Sequence, residues 1–102
     1  MQVLIIDDEP ALRQILAGTL ERAGHAVDEA GSAAEAAARL ARGDVDLALC
    51  DIKLGDGNGV DLLRNSRAAG IDTAFLSLST FESDPEKRRD ILRAAMRALA
   101  PR

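Results

Sequence analysis

Asp7 and Asp8, with Glu9 behind them, follow directly on the apolar run Val3-Leu4-Ile5-Ile6. Asp51 ends a second such run, Asp46-Leu47-Ala48-Leu49-Cys50, and Ser79 and Thr80 follow a third, Thr73 to Leu78. An acid pair standing alone is ordinarily a solvated turn. If the three runs are parallel strands of one sheet, however, every one of these groups comes out at the same rim, because open α/β sheets gather their ligand groups beyond the carboxyl ends of the strands. Carboxylates crowded there repel one another, and leaving them dry and unpaired costs several kcal/mol. A cation resolves the conflict, and hard oxygen donors with room for water suit magnesium, Mg²⁺.

The elements needed to position such a rim are legible along the chain. Val3 to Ile6 is short, continuous and β-branched, as expected of a strand buried on both faces of a parallel sheet. Pro10 suits the first turn of a helix whose apolar positions Leu12, Ile15, Leu16 and Leu20 recur at helical spacing until Gly24. Ala26 to Ala30 reads as a second strand, and Ser32-x-x-Glu35 as a capping box opening an Ala-rich helix that Gly43 closes. Asp46 to Cys50 is a third strand, Gly55-Asp56-Gly57-Asn58-Gly59 a turn-rich loop, and Val60, Leu62 and Leu63 belong to a third helix ending near Gly70. Thr73 to Leu78 is a fourth strand. Ser83-x-x-Glu86 caps a last helix with an apolar stripe of Ile91, Leu92, Ala95, Met96 and Leu99 opposite Arg89, Arg93 and Arg97. Strands alternating with helices predict an α/β fold with a parallel sheet and right-handed crossovers.

Composition bounds the function. At 102 residues and 47% hydrophobic content the chain supports one domain with one modest core. The formal net charge is −4, but it is uneven: from Pro85 to Arg102 six basic side chains face two acidic ones, net +4, leaving −8 on the preceding residues. An acidic body, with Phe75 and Phe81 as its two aromatic residues, offers nothing for base stacking, so no nucleic-acid partner is expected. Cys50 is unpaired in an apolar run and fits a small buried thiol in a reducing compartment. The chain opens without a basic leader or an apolar stretch of spanning length, so neither membrane contact nor export is expected and the location is read as cytoplasmic. His25 is solitary, no glycine-rich phosphate loop follows the first strand, and no nucleophile-base set is evident, which argues against an enzyme acting on small molecules. The glycine-rich loop lacks the spaced acids of a calcium-binding EF-hand.

Val3-Leu4-Ile5-Ile6-Asp7-Asp8-Glu9-Pro10, together with Asp46-Leu47-Ala48-Leu49-Cys50-Asp51-Ile52-Lys53-Leu54 and Gly59 behind it, resembles the receiver domain of bacterial two-component response regulators. The likeness spans Val3 to about Thr80 and implies a flavodoxin-like doubly wound sheet. It implies that Asp51 accepts a phosphoryl group from a histidine kinase or phosphotransfer protein. It further implies that Asp7, Asp8 and Asp51 hold Mg²⁺ with the backbone carbonyl of Lys53, and that Ser79 is the switch hydroxyl. Elementary chemistry agrees, since phosphoryl transfer asks for little beyond an in-line acceptor and positive charge on the equatorial oxygens. New phosphate oxygens beside a hydroxyl would turn that hydroxyl inward to donate a hydrogen bond.

The sequence also departs from the family. Receivers continue past the fourth strand with a helix, a fifth strand ending in a phosphate-binding lysine, and a last helix. Here one helix follows, and no Lys-Pro pair exists. The switching aromatic of the fifth strand has no counterpart, and Thr80 stands where a small alanine is common. Residues 81–102 read either as the family's fourth helix or, as their amphipathic pattern favours, as its last. The expected organisation is thus a single domain, 1–102, with a receiver-like core over 1–80, four strands, and a basic amphipathic C-terminal helix. Two functions are carried forward. One is a stand-alone phospho-receiver signalling by protein contact; the other is a docking or dimerisation module independent of phosphorylation. A homodimer is expected, through the fourth-strand edge with Phe75, Leu76 and Leu78 or by exchange of the C-terminal helix.

Overall fold

The computed structural model describes residues 1–78. Expectations for Ser79, Thr80, the Ser83 cap, the C-terminal helix and the dimer it would support lie outside the described residues. Nine elements run in order: β1 (Gln2–Ile6), α1 (Pro10–Arg22), β2 (Ala26–Ala30), α2 (Ala33–Leu40), β3 (Leu47–Cys50), β4 (Lys53–Leu54), β5 (Gly57–Asn58), α3 (Gly59–Ala68) and β6 (Ala74–Ser77). The main sheet has the order β2-β1-β3-β6 and every pairing in it is parallel. The parallel sheet is the one the alternation predicts, and its order is the flavodoxin-like one that the resemblance implies.

β1 explains why the pattern works. Its residues Val3 to Ile6 are fully buried, yet they serve two cores, because successive side chains leave a strand on opposite faces. Leu4 and Ile6 pack with Ala36, Leu40, Ala48 and Leu62 under α2 and α3. Val3 and Ile5 pack with Leu16, Ala17, Leu20, Leu49 and Leu78 under α1. Helices therefore cover both faces, as a parallel sheet requires.

Several details differ from expectation. On α1 the buried stripe is Leu16, Ala17 and Leu20, while Ile15 is exposed, because it sits beside the stripe rather than on it. On α3 Leu62 and Ser66 are buried and Val60 is exposed. Strands β3 and β6 begin one residue late. Asp46 instead accepts a hydrogen bond on its carboxylate from the Gln2 N–H at 2.8 Å, and the buried Thr73 hydroxyl donates to the Val45 carbonyl at 2.7 Å. Leu78, expected on an open sheet edge, is buried in the α1-side core. The loop after Asp51 contains a two-residue antiparallel hairpin, β4–β5. In the capping box, Ser32 accepts from the Glu35 N–H at 3.1 Å, but Glu35 reaches back to the N–H of Gly31 rather than of Ser32. Gly24 ends α1 at φ 95°, a left-handed conformation that glycine adopts without penalty.

Candidate functional site

Parallel register builds the site. Ile6 pairs with both Ala30 and Cys50, so the residues leaving β1 and β3 emerge side by side at the carboxyl rim. Asp7 and Asp51 are each tied to that rim by the main chain: Asp7 N–H donates to the Ala30 carbonyl at 3.1 Å, and Asp51 N–H to the Ile6 carbonyl at 2.9 Å. Oxygen atoms of Asp7, Asp8 and Asp51, one from each, lie within 4.8 Å of one another. Asp7 is buried, Asp51 half-buried and Asp8 exposed.

Two of these carboxylates are held in the same way. Asp7 Oδ1 accepts from the Glu9 N–H at 2.8 Å, and Asp51 Oδ1 from the Lys53 N–H at 3.3 Å, each a side chain capping the backbone two residues on. One oxygen of each is thereby fixed and the other left over. Burial raises the pKa of Asp7 above the usual carboxylate value; the Glu9 N–H pulls it down, and the neighbouring charges of Asp51, Asp8 and Glu9 push it up. Like charges at this separation repel by about 1 kcal/mol per pair in water and about 3 kcal/mol at the effective dielectric of a protein surface. No arginine or lysine among the described residues is ion-paired with any of the three. An acid set of this kind, all oxygen and partly hydrated, fits a hard divalent cation.

The packing behind Asp51 is tight. A β-carbon on Gly59, the first residue of α3, would lie 2.8 Å from the Asp51 carbonyl oxygen and 3.0 Å from Cys50 Sγ. Cys50 is buried, its thiol sits 3.2 Å from the Asp51 carbonyl, and burial together with the Asp51 and Asp7 charges pushes its pKa up to about 11. It is a neutral core thiol, as its apolar setting suggested. His25 is buried at the entry to β2, the opposite end of the sheet, and takes no part in the site.

The response regulator receiver domain model matches residues 3–100. This chain belongs to the response regulator receiver family. Among curated relatives it is 35% identical over 97 residues to the DNA-binding transcriptional activator DevR/DosR of Mycobacterium tuberculosis, covering 93% of this chain and 45% of that protein. The receiver therefore spans less than half the length of that relative. Among solved structures it is similar to the response regulator TrrA of Thermotoga maritima in complex with Mg²⁺-BeF, with TM-score 0.77, 25% identity, and 97% and 98% of the two chains covered. It is also similar to the MaeR response regulator bound to beryllium trifluoride, with TM-score 0.69, 30% identity, and 76% of this chain and 65% of that one covered.

Of the sequence-expected site residues, the receiver brings Asp7, Asp8 and Asp51 together and sets the Lys53 N–H against Asp51; Ser79 and Thr80 lie outside the described residues. Two neighbours escaped the sequence reading. Asp56, expected only as a turn residue, accepts from the first N–H groups of α2, Ala33 at 2.7 Å and Ala34 at 3.1 Å, which lowers its pKa. Arg13 of α1 donates from Nη1 to the Asp7 carbonyl at 2.7 Å. Asp56 gave no signal, since its partners lie more than twenty residues away. Arg13 gave a faint one: a cation near the start of a helix opposes the helix dipole and calls for a reason.

Proposed function

We propose that Asp51 accepts a phosphoryl group from a histidine kinase or phosphotransfer protein, and that the modified domain passes the state on by protein contact. The convergence of Asp7, Asp8 and Asp51 within 4.8 Å carries this reading. The freed oxygen of Asp51 attacks the phosphorus of a phosphohistidine; the P–N bond breaks, its electron pair stays on the imidazole, which takes up a proton, and an acyl phosphate forms on Asp51. Asp7, Asp8 and Asp51 would hold Mg²⁺ with the Lys53 carbonyl, Ser79 would be the switch hydroxyl, and Thr80, where a small alanine is common, would narrow access to the metal. When bound, the cation supplies positive charge against the phosphoryl oxygens. The solved relatives support this: MaeR is bound to beryllium trifluoride and TrrA is in complex with Mg²⁺-BeF, and a tetrahedral fluoroberyllate has the shape and charge of a phosphoryl group.

The chemistry is self-directed transfer rather than turnover of a free substrate. The docking alternative is favoured by one observation: the sequence holds Lys53 and Lys87 as its lysines, neither in a Lys-Pro pair that would grip a phosphoryl group. The mycobacterial relative is a DNA-binding activator, so composition, which excluded a base-stacking surface, does not exclude nucleic acid as a target of proteins in this family. No helix among the described residues is long and apolar enough to cross a membrane. Incubation with Mg²⁺ and a small phosphodonor, followed by intact mass, tests the proposal. One phosphoryl adduct that Asp51→Ala abolishes is expected; an unmodified wild type turns the reading to the docking module, and an adduct that persists in Asp51→Ala removes Asp51 as acceptor.

A further inference from the structure

Arg13 is an expensive residue for its place in the fold. Its side chain is 18% exposed, and its buried Nε makes no hydrogen bond, only an ion pair at 3.4 Å with the Glu29 carboxylate, which is 35% exposed. An ion pair this long to a partly exposed carboxylate repays little of the cost of burying a guanidinium. The arginine also sits one turn into α1, whose cap residue Glu9 makes no side-chain cap and whose first turn holds no acid, so it opposes the dipole there.

The geometry points to a positioning role: we infer that Arg13 sets the cation-binding acid pair by clamping the Asp7 carbonyl. That carbonyl belongs to the peptide plane from which Asp8 departs, so a 2.7 Å bond to it fixes the direction in which Asp8 enters the rim. The clamp completes a three-sided hold on Asp7, with β2 accepting its N–H and the Glu9 N–H on Oδ1, and leaves one carboxylate oxygen for a ligand. Gly31, with no side chain, leaves the guanidinium room in this place. A β-carbon there would stand 3.1 Å from Arg13 Nη1, the donating atom, and 3.5 Å from Cζ. The backbone of Gly31 is not left-handed, so space rather than conformation is what glycine supplies.

This inference rests on the cation site proposed above. Mn²⁺, which shares magnesium's preference for oxygen, is titrated into the full chain and free ion is read by electron paramagnetic resonance, with the Asp8 amide followed by NMR. Removing a partner of a metal ligand typically weakens binding by about tenfold or more. Arg13→Met is therefore expected to weaken Mn²⁺ by about tenfold, Gly31→Ala by a smaller factor, and Arg13→Lys, which keeps a donor, to recover part of the loss. Arg39→Met, which breaks ion pairs at the far end of the sheet, is expected to lower the melting temperature without changing Mn²⁺ affinity. Wild-type affinity in both Arg13→Met and Gly31→Ala overturns the role, as does an equal loss in Arg39→Met. If Arg13→Met does not melt cooperatively, Gly31→Ala and Arg13→Lys decide. A wild type that takes up no Mn²⁺, or an Asp8→Asn variant that binds as wild type does, overturns the cation site itself and this inference with it.

Discussion

The two ends of the sheet treat their acids in opposite ways. Towards the amino-terminal end Arg39 pairs with Asp44 and, at 2.7 Å, with Asp28 midway along β2, and Asp46 accepts the Gln2 N–H. At the carboxyl-terminal end Asp7, Asp8 and Asp51 converge with no cation ion-paired to any of them among the described residues, and Arg13 turns to the Asp7 carbonyl and to Glu29 instead. One end neutralises its charge within the fold. The other leaves three like charges together unneutralised, and that difference separates a self-paired edge from one with charge left to meet a ligand, built out of the same residue type.

Breaking the contrast at the acceptor should give the largest effect: Asp51→Ala is expected to lose phosphoryl uptake completely while melting close to wild type, as read by intact mass and calorimetry. Next, Gly59→Ala drives a β-carbon against the Asp51 carbonyl, and an overpacked core position of this kind is expected to cost about 2 kcal/mol in chemical denaturation. Asp8→Asn should work in two directions at once. It removes a like charge and raises metal-free stability by about 1 kcal/mol, and it abolishes the stabilisation that millimolar Mg²⁺ gives the wild type, both visible as shifts in melting temperature. Arg39→Met should lower the melting temperature by about 4 °C, with Mg²⁺ restoring none of it.

The smallest effect is in the pH dependence, and its sign differs between the ends. The pKa of Asp7 is raised above 3.8 by burial, so the folded state takes the proton first and metal-free stability rises as pH falls through the folded value towards 3.8. Asp44 is lowered by its hydrogen bond from Arg39, so its contribution is present above 3.8 and lost as pH falls through the lower folded value. Denaturation midpoints across this acid range should therefore flatten in opposite senses in Asp7→Asn and Asp44→Asn. Parallel behaviour of the two variants would contradict the comparison.

Much of this was legible in advance. Strand β1 could be read from Val3-Leu4-Ile5-Ile6 because burial on both faces leaves no polar position to confuse the period, and the helix caps Pro10 and Ser32 act on neighbours within one turn. Ile15 was misplaced because one-dimensional spacing admits two adjacent stripes on a helix, and only the partner surface selects between them. The β4–β5 hairpin hid in a glycine-rich stretch that also satisfies a simple turn.

The sequence alone determined the alternation of strands and helices, the identity of the acids at the strand ends and their resemblance to a receiver, because these depend on local periodicity and on residues adjacent in the chain. Tertiary structure decided which oxygen of Asp7 and of Asp51 is held and which is left over, how closely α3 seats on Asp51 through Gly59, and that Asp56 caps α2 and Arg13 bonds the Asp7 carbonyl. Each of those depends on a hydrogen bond or a contact between segments that meet only when parallel strands bring their ends into register, and no spacing along the chain records that meeting.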